Sequence, residues 1–90
     1  MSVKVRYFGK FRSVTSKLEE EISFDGGTLE NLIAKLCEMY GAKFRRMIIK
    51  ENKLAPDVII LVNGKSIGDS LSIRLNSGDI VSIMPFVSGG

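Results

Sequence analysis

Between Thr28 and Gly41, Leu29, Leu32, Ile33, Leu36, Cys37 and Tyr40 recur at helical spacing. That spacing is the 3.6-residue period of an amphipathic helix with one apolar stripe. Its ends are marked too. Asp25-Gly26-Gly27 reads as a turn and Thr28 as an N-cap, Glu30 sits in the first turn where the helix dipole favours it, and Gly41 supplies a C-terminal stop. Elsewhere in the chain the dominant apolar period is two. A lone helical stripe must be buried against something, and here the other apolar faces belong to strands.

Val3, Val5 and Tyr7 alternate with Lys4, Arg6 and Phe8, and Gly9 closes the run. Residues 10–17 form a polar connection to a second strand over residues 18–24. In that strand Leu18, Glu20, Ile22 and Phe24 share a face, and the carboxylate at Glu20 suggests an edge or a bulge. Residues 42–50 predict a short helix or turn, since Phe44, Met47 and Ile48 have helical spacing. A loop then runs through Pro56. Val58-Ile59-Ile60-Leu61-Val62 predicts a strand buried on both faces over part of its length. Asn63-Gly64 is a strong hairpin signal, and residues 65–67 return briefly. A loop carrying Leu71, Ile73 and Leu75 leads to the turn Asn76-Ser77-Gly78-Asp79 and a last strand over residues 80–84.

The order is β-β-α-β-β, and the simplest burial puts one helix across one face of a mixed sheet. This is an α+β fold of the β-grasp kind, with the first and last strands parallel at the centre. Pro85 cannot donate to a central ladder, so it is expected to mark where the chain leaves the sheet. Residues 1–84 are then the domain, and 85–90 an extended tail, Val87-Ser88-Gly89-Gly90 at its end.

Composition excludes several function classes. Histidine is absent and cysteine occurs once, so Ser/His/Asp catalysis, Cys/His catalysis and a Cys/His zinc site cannot be assembled from this chain. There is no phosphate-binding or dinucleotide fingerprint. The net charge of +3 is too mild to indicate nucleic acid. No apolar run approaches the ~20 residues that cross a bilayer. Met1 leads almost directly into a strand, so no signal peptide is expected, and a single cysteine fits a reducing cytoplasm. Such a chain is more readily acted upon than acting.

A C-terminal Gly-Gly has no side chain to shield its carboxylate or to obstruct a narrow channel. From Pro85 to Gly90 an extended tail spans roughly 20 Å, enough to carry that carboxylate into another protein's buried site. Val3-Lys4-Val5-Arg6-Tyr7-Phe8-Gly9, Val62-Asn63-Gly64, Leu75-Asn76-Ser77-Gly78-Asp79-Ile80-Val81 and Met84-Pro85-Phe86-Val87-Ser88-Gly89-Gly90 together resemble the small, sulfur-carrying subunit of molybdopterin synthase, in the MoaD/ThiS group of ubiquitin-like proteins. The likeness covers nearly the whole chain. Phe86 departs from it, since the family commonly has a second proline there.

The resemblance implies a carrier cycle. A ubiquitin-activating-type enzyme would use ATP to adenylate Gly90, and a sulfur donor would convert the acyl-adenylate to a thiocarboxylate. The large synthase subunit would then move that sulfur to a pterin precursor of molybdopterin. The carrier would itself bind no cofactor and no metal, and would engage neither nucleic acid nor membrane. Gly90 would be the reacting residue, with Gly89, Ser88 and Val87 threading the channel. The resemblance also places Phe8, Ile67 and Met84 on the docking surface. Alternation along the strands agrees for two of these: if Val3, Val5 and Tyr7 face the helix, Phe8 points the other way, as does Met84 if Val81 and Ile83 face the helix.

Three other readings stay open. The chain could be a protein modifier joined through Gly90 to lysines, a carrier for another thiolation pathway, or a non-covalent binding module with an inert tail. Cys37 lies on the helix stripe and reads as a small core residue. Lys43, Arg45, Arg46, Lys50 and Lys53 read as a mildly basic surface without the interleaved aromatics of single-strand binders.

Overall fold

The computed structural model describes residues 2–25 and 27–86. Its elements are β1 (Ser2–Tyr7), α1 (Lys10–Thr15), β2 (Glu19–Ser23), β3 (Gly27–Thr28), α2 (Leu29–Ile48), β4 (Ile49–Lys50), β5 (Lys53–Leu54), β6 (Val58–Val62), β7 (Lys65–Ser66), β8 (Arg74–Leu75) and β9 (Ile80–Pro85). Five strands form one sheet in the order β2-β1-β9-β6-β7. β1 and β9 are parallel at its centre, with Val5 beside Val81 and Tyr7 beside Ile83. The inner face contributes Val3, Val5, Tyr7, Ile60, Val81 and Ile83 to the core, and α2 covers it with Leu29, Leu32, Ile33, Leu36, Phe44 and Ile48. This is the expected β-grasp arrangement. β3 pairs with β8, and β4 with β5, in two small ribbons outside the main sheet.

α2 starts where expected. The Thr28 hydroxyl accepts from the Asn31 backbone amide at 3.3 Å, and the Asn31 side-chain Oδ1 accepts from the Thr28 backbone amide at 2.9 Å. This is a capping box with asparagine as its third residue. It depends on Gly27, because a Cβ there would collide with the Asn31 side chain. The next amides, of Leu29 and Glu30, donate to the carbonyls of Ile73 and Leu71 at 2.8 and 2.9 Å. The loop carrying the apolar residues 71–75 therefore satisfies donors that a helix start leaves orphaned. At Gly41 the backbone is non-helical, and residues 42–48 form a second helical piece on a new axis. The kink turns Phe44 and Ile48 fully into the core.

Residues 10–17 are not merely a polar connection. Six of them form α1, whose Phe11 is completely buried and meets Phe44 edge to face at 5.9 Å between ring centroids. Phe11, Val14 and Thr15 have helical spacing, but three apolar or small residues among Lys, Arg and Ser make a weak stripe. Thr15 is buried because its hydroxyl donates back to the Phe11 carbonyl at 2.9 Å.

The carboxylate at Glu20 marks an edge strand, and the β1–β2 ladder shows no bulge from Ser2↔Ser23 to Arg6↔Glu19. Its side chain lies on the inner face and is 13% exposed. It accepts hydrogen bonds from the Tyr7 hydroxyl at 2.6 Å, from the Tyr40 hydroxyl, and from Lys17 Nζ at 3.0 Å. Burial alone would raise its pKa, but the three donors outweigh that and hold it below the ordinary carboxylate value. Both tyrosines are pushed up, by burial first and then by the carboxylate they serve.

Two stretches that carry the family resemblance meet in space. Asn63 and Gly64, both at positive φ, turn β6 into β7. The Asn63 amide nitrogen Nδ2 donates to Asp79 Oδ1 at 3.0 Å, and Asn63 Oδ1 accepts from the Ile80 amide at 2.9 Å. Asp79 Oδ2 in turn accepts from the Asn76 amide at 2.8 Å. The hairpin and the turn before β9 are thus one hydrogen-bonded knot that sets the start of the central strand.

Candidate functional site: the outer sheet face and the root of the tail

Gly90, Gly89, Ser88 and Val87 lie outside the described residues, and the structure describes the root from which they follow. β9 ends one residue later than expected. Pro85 stays in register with Val58, and the Phe86 amide donates to the Asp57 carbonyl at 2.7 Å. Pro85 therefore does not mark the departure from the sheet. Alternation explains why proline is tolerated in this strand. The Phe8 amide bonds the Ile83 carbonyl, so the polar groups of residues 83 and 85 point toward β1, while those of 84 and 86 point toward β6. β1 has ended by Tyr7, so no ladder bond is lost at Pro85. In that place lies Gly9, at φ 56° and ψ −128°. A Cβ on Gly9 would lie 2.9 Å from Pro85 Cγ. The root is held on its other flank by Asp57, whose carboxylate pairs with Lys10 Nζ at 3.1 Å and is lowered in pKa by that contact.

The outer sheet face adjoins this root. Strand alternation puts Lys4, Arg6 and then Phe8 there from β1, and Ile80, Ser82 and Met84 from β9, because Val5, Tyr7, Val81 and Ile83 are buried on the inner side. Phe8 and Met84 are both half-buried, and the Arg12 guanidinium stands 5.7 Å from the centre of the Phe8 ring. Ile67 does not join them. Its amide donates to the Ile60 carbonyl at 3.2 Å and its side chain packs against the core, on the side Ile60 faces. Two residues that the sequence reading did not single out take its place: Ile59 opposite Met84, and Leu61 opposite Ser82. The unbroken apolar run 58–62 hid the alternation that turns these two outward. The result is an apolar patch of Phe8, Ile59, Leu61, Ile80 and Met84, continuous with Phe86, which is 55% exposed. Lys4 and Arg6 border it, both paired with Glu19 at 3.3 and 3.5 Å.

Cys37 is partly buried against the core, where burial raises its thiol pKa and Arg45 nearby lowers it less. Among the described residues no three of Cys, Asp and Glu converge to hold a metal ion, and no helix is long and apolar enough to cross a membrane.

A β-grasp sheet with an apolar outer face beside the end of its central strand has close counterparts. Residues 5–90 match the profile of the ThiS family. This chain belongs to that family. It is similar over its whole length to a protein of Archaeoglobus fulgidus assigned as a sulfur carrier, with 32% identity and all of both chains covered. It is 30% identical to small archaeal modifier protein 3 of Haloferax volcanii, again with both chains fully covered. Among solved structures, a Pyrococcus furiosus protein assigned as subunit 1 of molybdopterin converting factor superposes with a TM-score of 0.79 at 34% identity, covering 96% of this chain and 98% of that one. ThiS-family membership thus joins the chain to a group that includes sulfur carriers and ubiquitin-like modifiers.

Proposed function

We propose that this ThiS-family protein is a sulfur carrier for molybdopterin synthesis, with Gly90 as its C-terminal, sulfur-bearing residue. The carboxylate would attack the α-phosphorus of ATP in a partner enzyme, releasing pyrophosphate. A sulfide-level donor would then displace AMP, leaving a thiocarboxylate whose sulfur passes to a pterin precursor in a second partner. A carboxylate is a poor acyl donor until AMP becomes its leaving group, and the partner's contribution is largely positioning. The protein needs no acid, base or metal of its own for this, in keeping with a chain that lacks histidine. The observation that carries the reading is the root geometry: Pro85 and Phe86 are fixed to the sheet beside an apolar face, so a partner gripping that face receives the tail at a defined place.

The test is incubation with an adenylating partner, ATP and sulfide, followed by intact mass measurement. Exchange of one oxygen for sulfur at Gly90 is expected, and sulfur transfer to a pterin precursor should follow with the large synthase subunit. A carrier that remains a carboxylate would sink the proposal. The 30% identity with small archaeal modifier protein 3 favours a second reading, conjugation of Gly90 to lysines. Covalent ladders in place of a free thiocarboxylate would select it.

A further inference from the structure

Beside the tail root, on the flank away from the apolar patch, runs an open groove of about 980 Å³. Its walls are the end of α2, the β4–β5 ribbon, the start of α1 and residues 55–57. Lys10, Lys43, Arg46 and Lys50 line it, against two carboxylates, Glu51 and Asp57. Asp57 is already engaged by Lys10. Among the described residues no carboxylate pairs with Lys43, Arg46 or Lys50, and all three are exposed. By contrast Lys4, Arg6 and Lys17 are all matched by glutamates of β2. Three of the nine cations without a carboxylate partner among the described residues, Lys43, Arg46 and Lys50, therefore line this one groove. Below them the floor is aliphatic: Met47, Ile49 and the buried Ala55.

We infer that this groove docks an acidic, partly aliphatic segment of the protein that receives the tail. The inference rests on the carrier reading for the partner's identity and on the groove itself for the chemistry. Three unmatched cations over an aliphatic floor complement a peptide that alternates carboxylates with Leu-like side chains. Nucleic acid fits less well, because none of the groove's lining residues is aromatic and stacking is what secures single strands. Continuity with the root supplies the functional link. Asp57 is both a groove wall and the acceptor of the Phe86 amide, so a chain lying in the groove touches the residue that aims the tail. Partner contact on both flanks of β9, apolar on one and ionic on the other, sets the orientation of the carrier as well as its affinity.

The experiment is an amide-resolved NMR titration of the full chain with a short synthetic peptide alternating glutamate and leucine, repeated with Lys43→Glu/Arg46→Glu/Lys50→Glu. Shifts confined to Lys10 and residues 43–57 are expected, weakening as salt is added. The variant should bind about tenfold more weakly, as the loss of three exposed ion pairs of ordinary strength implies. Lys10 is left in place so that the root stays intact. Shifts spread evenly over Lys4, Lys35 and Lys65, or equal affinity in the variant, overturn the inference. Tighter binding of oligouridylate at the same residues also overturns it, in favour of RNA. Pyrophosphate exchange with an adenylating partner completes the test: the variant should show a KM raised about tenfold with kcat retained, and an unchanged KM counts against the groove. If the wild-type chain supports no exchange at all, the carrier reading fails, while the peptide titration still decides the groove.

Discussion

Replacing Gly9 by alanine should be among the most damaging single-methyl changes available to this protein, although Gly9 is exposed. Two independent costs meet there. Its backbone sits at φ 56° and ψ −128°, which an L-residue adopts only with strain of about 1–3 kcal/mol. The new Cβ would also stand 2.9 and 3.1 Å from Pro85 Cγ and Cδ. Proline cannot swing a side chain away, and Pro85 is held in register with Val58. The overlap therefore costs a further 1–2 kcal/mol or so, as overpacking does elsewhere. A total of about 3 kcal/mol corresponds to a fall in melting temperature of about 12–24 °C, at about 4–8 °C per kcal/mol for a domain of this size.

The assay is denaturant unfolding of wild type, Gly9→Ala, Pro85→Ala and the double variant. The cycle separates the two costs. Removing the ring should relieve the overlap but not the backbone strain, so the methyl at Gly9 should cost about 1–2 kcal/mol less in the Pro85→Ala background than in wild type. If Gly9→Ala unfolds at the wild-type midpoint, the whole argument fails. If its cost is the same with and without the Pro85 ring, the claim that Gly9 braces the tail root fails.

Glu20→Ala would leave the buried Tyr7 hydroxyl without its acceptor and should cost about 1–3 kcal/mol, measured by urea unfolding. Because the Glu20 pKa is depressed below 4.5, its contribution is present above that pH and is lost as pH falls through the folded-state value. The tyrosine pKa values are raised above 10.0, so their contribution is present below pH 10 and is lost as pH rises beyond it. Melting followed from pH 2 to 11 should show both limbs, and Glu20→Gln should flatten the acid one. Met84→Lys and Phe8→Lys should weaken docking to the adenylating partner while shifting stability by less than about 1 kcal/mol, since both side chains are half-buried on the outer face; wild-type affinity by calorimetry would remove the patch from consideration. Gly89→Ala and Gly89→Val should reduce pyrophosphate exchange in that order with unchanged melting, and equal exchange by the valine variant would refute the narrow-channel argument.

The β-grasp frame is legible because β1 and α2 carry clear periods and the turns beside them carry their own signature residues. The α2 stripe and its Thr28 cap stand as expected, as do the Asn63-Gly64 hairpin and the parallel centre, while Gly41 ends only the first helical piece and bends α2 into a second. What escaped was the structure whose signal is tertiary. Phe11 looks like an isolated aromatic in a polar stretch until Phe44 comes to meet it, and Phe44 arrives only because α2 bends at Gly41. Glu20 looks out of place in its strand until two tyrosines from separate elements converge on it. At the site, the uniform apolar run of β6 carried no sign that Ile59 and Leu61 face outward. The resemblance groups Ile67 with Phe8 and Met84 on the docking surface, yet its pairing with Ile60 draws its side chain to the core side. A proline's missing donor makes Pro85 look like a strand terminator. The missing donor costs nothing here, since the strand it would have served has already ended.

On the carrier reading proposed above, Pro85 and Gly9 together explain why this central strand suits the delivery of a reactive end. A tail that must find a channel in another protein loses orientational freedom on docking, and each residue ordered at that moment costs about 1–2 kcal/mol. Residues already fixed in the free carrier cost nothing further. β9 is anchored at its start by the Asn63–Asp79 knot and along its length by neighbours on both sides. At its end the Pro85 ring, the Gly9 backbone and the Asp57–Phe86 hydrogen bond hold it up to residue 86. Substituting Phe86 by proline would remove the N–H that bonds Asp57 while stiffening the chain locally. The two effects oppose each other. If the Asp57 bond aims the tail, Phe86→Pro should raise the KM for the adenylating partner; if stiffness alone matters, it should lower it.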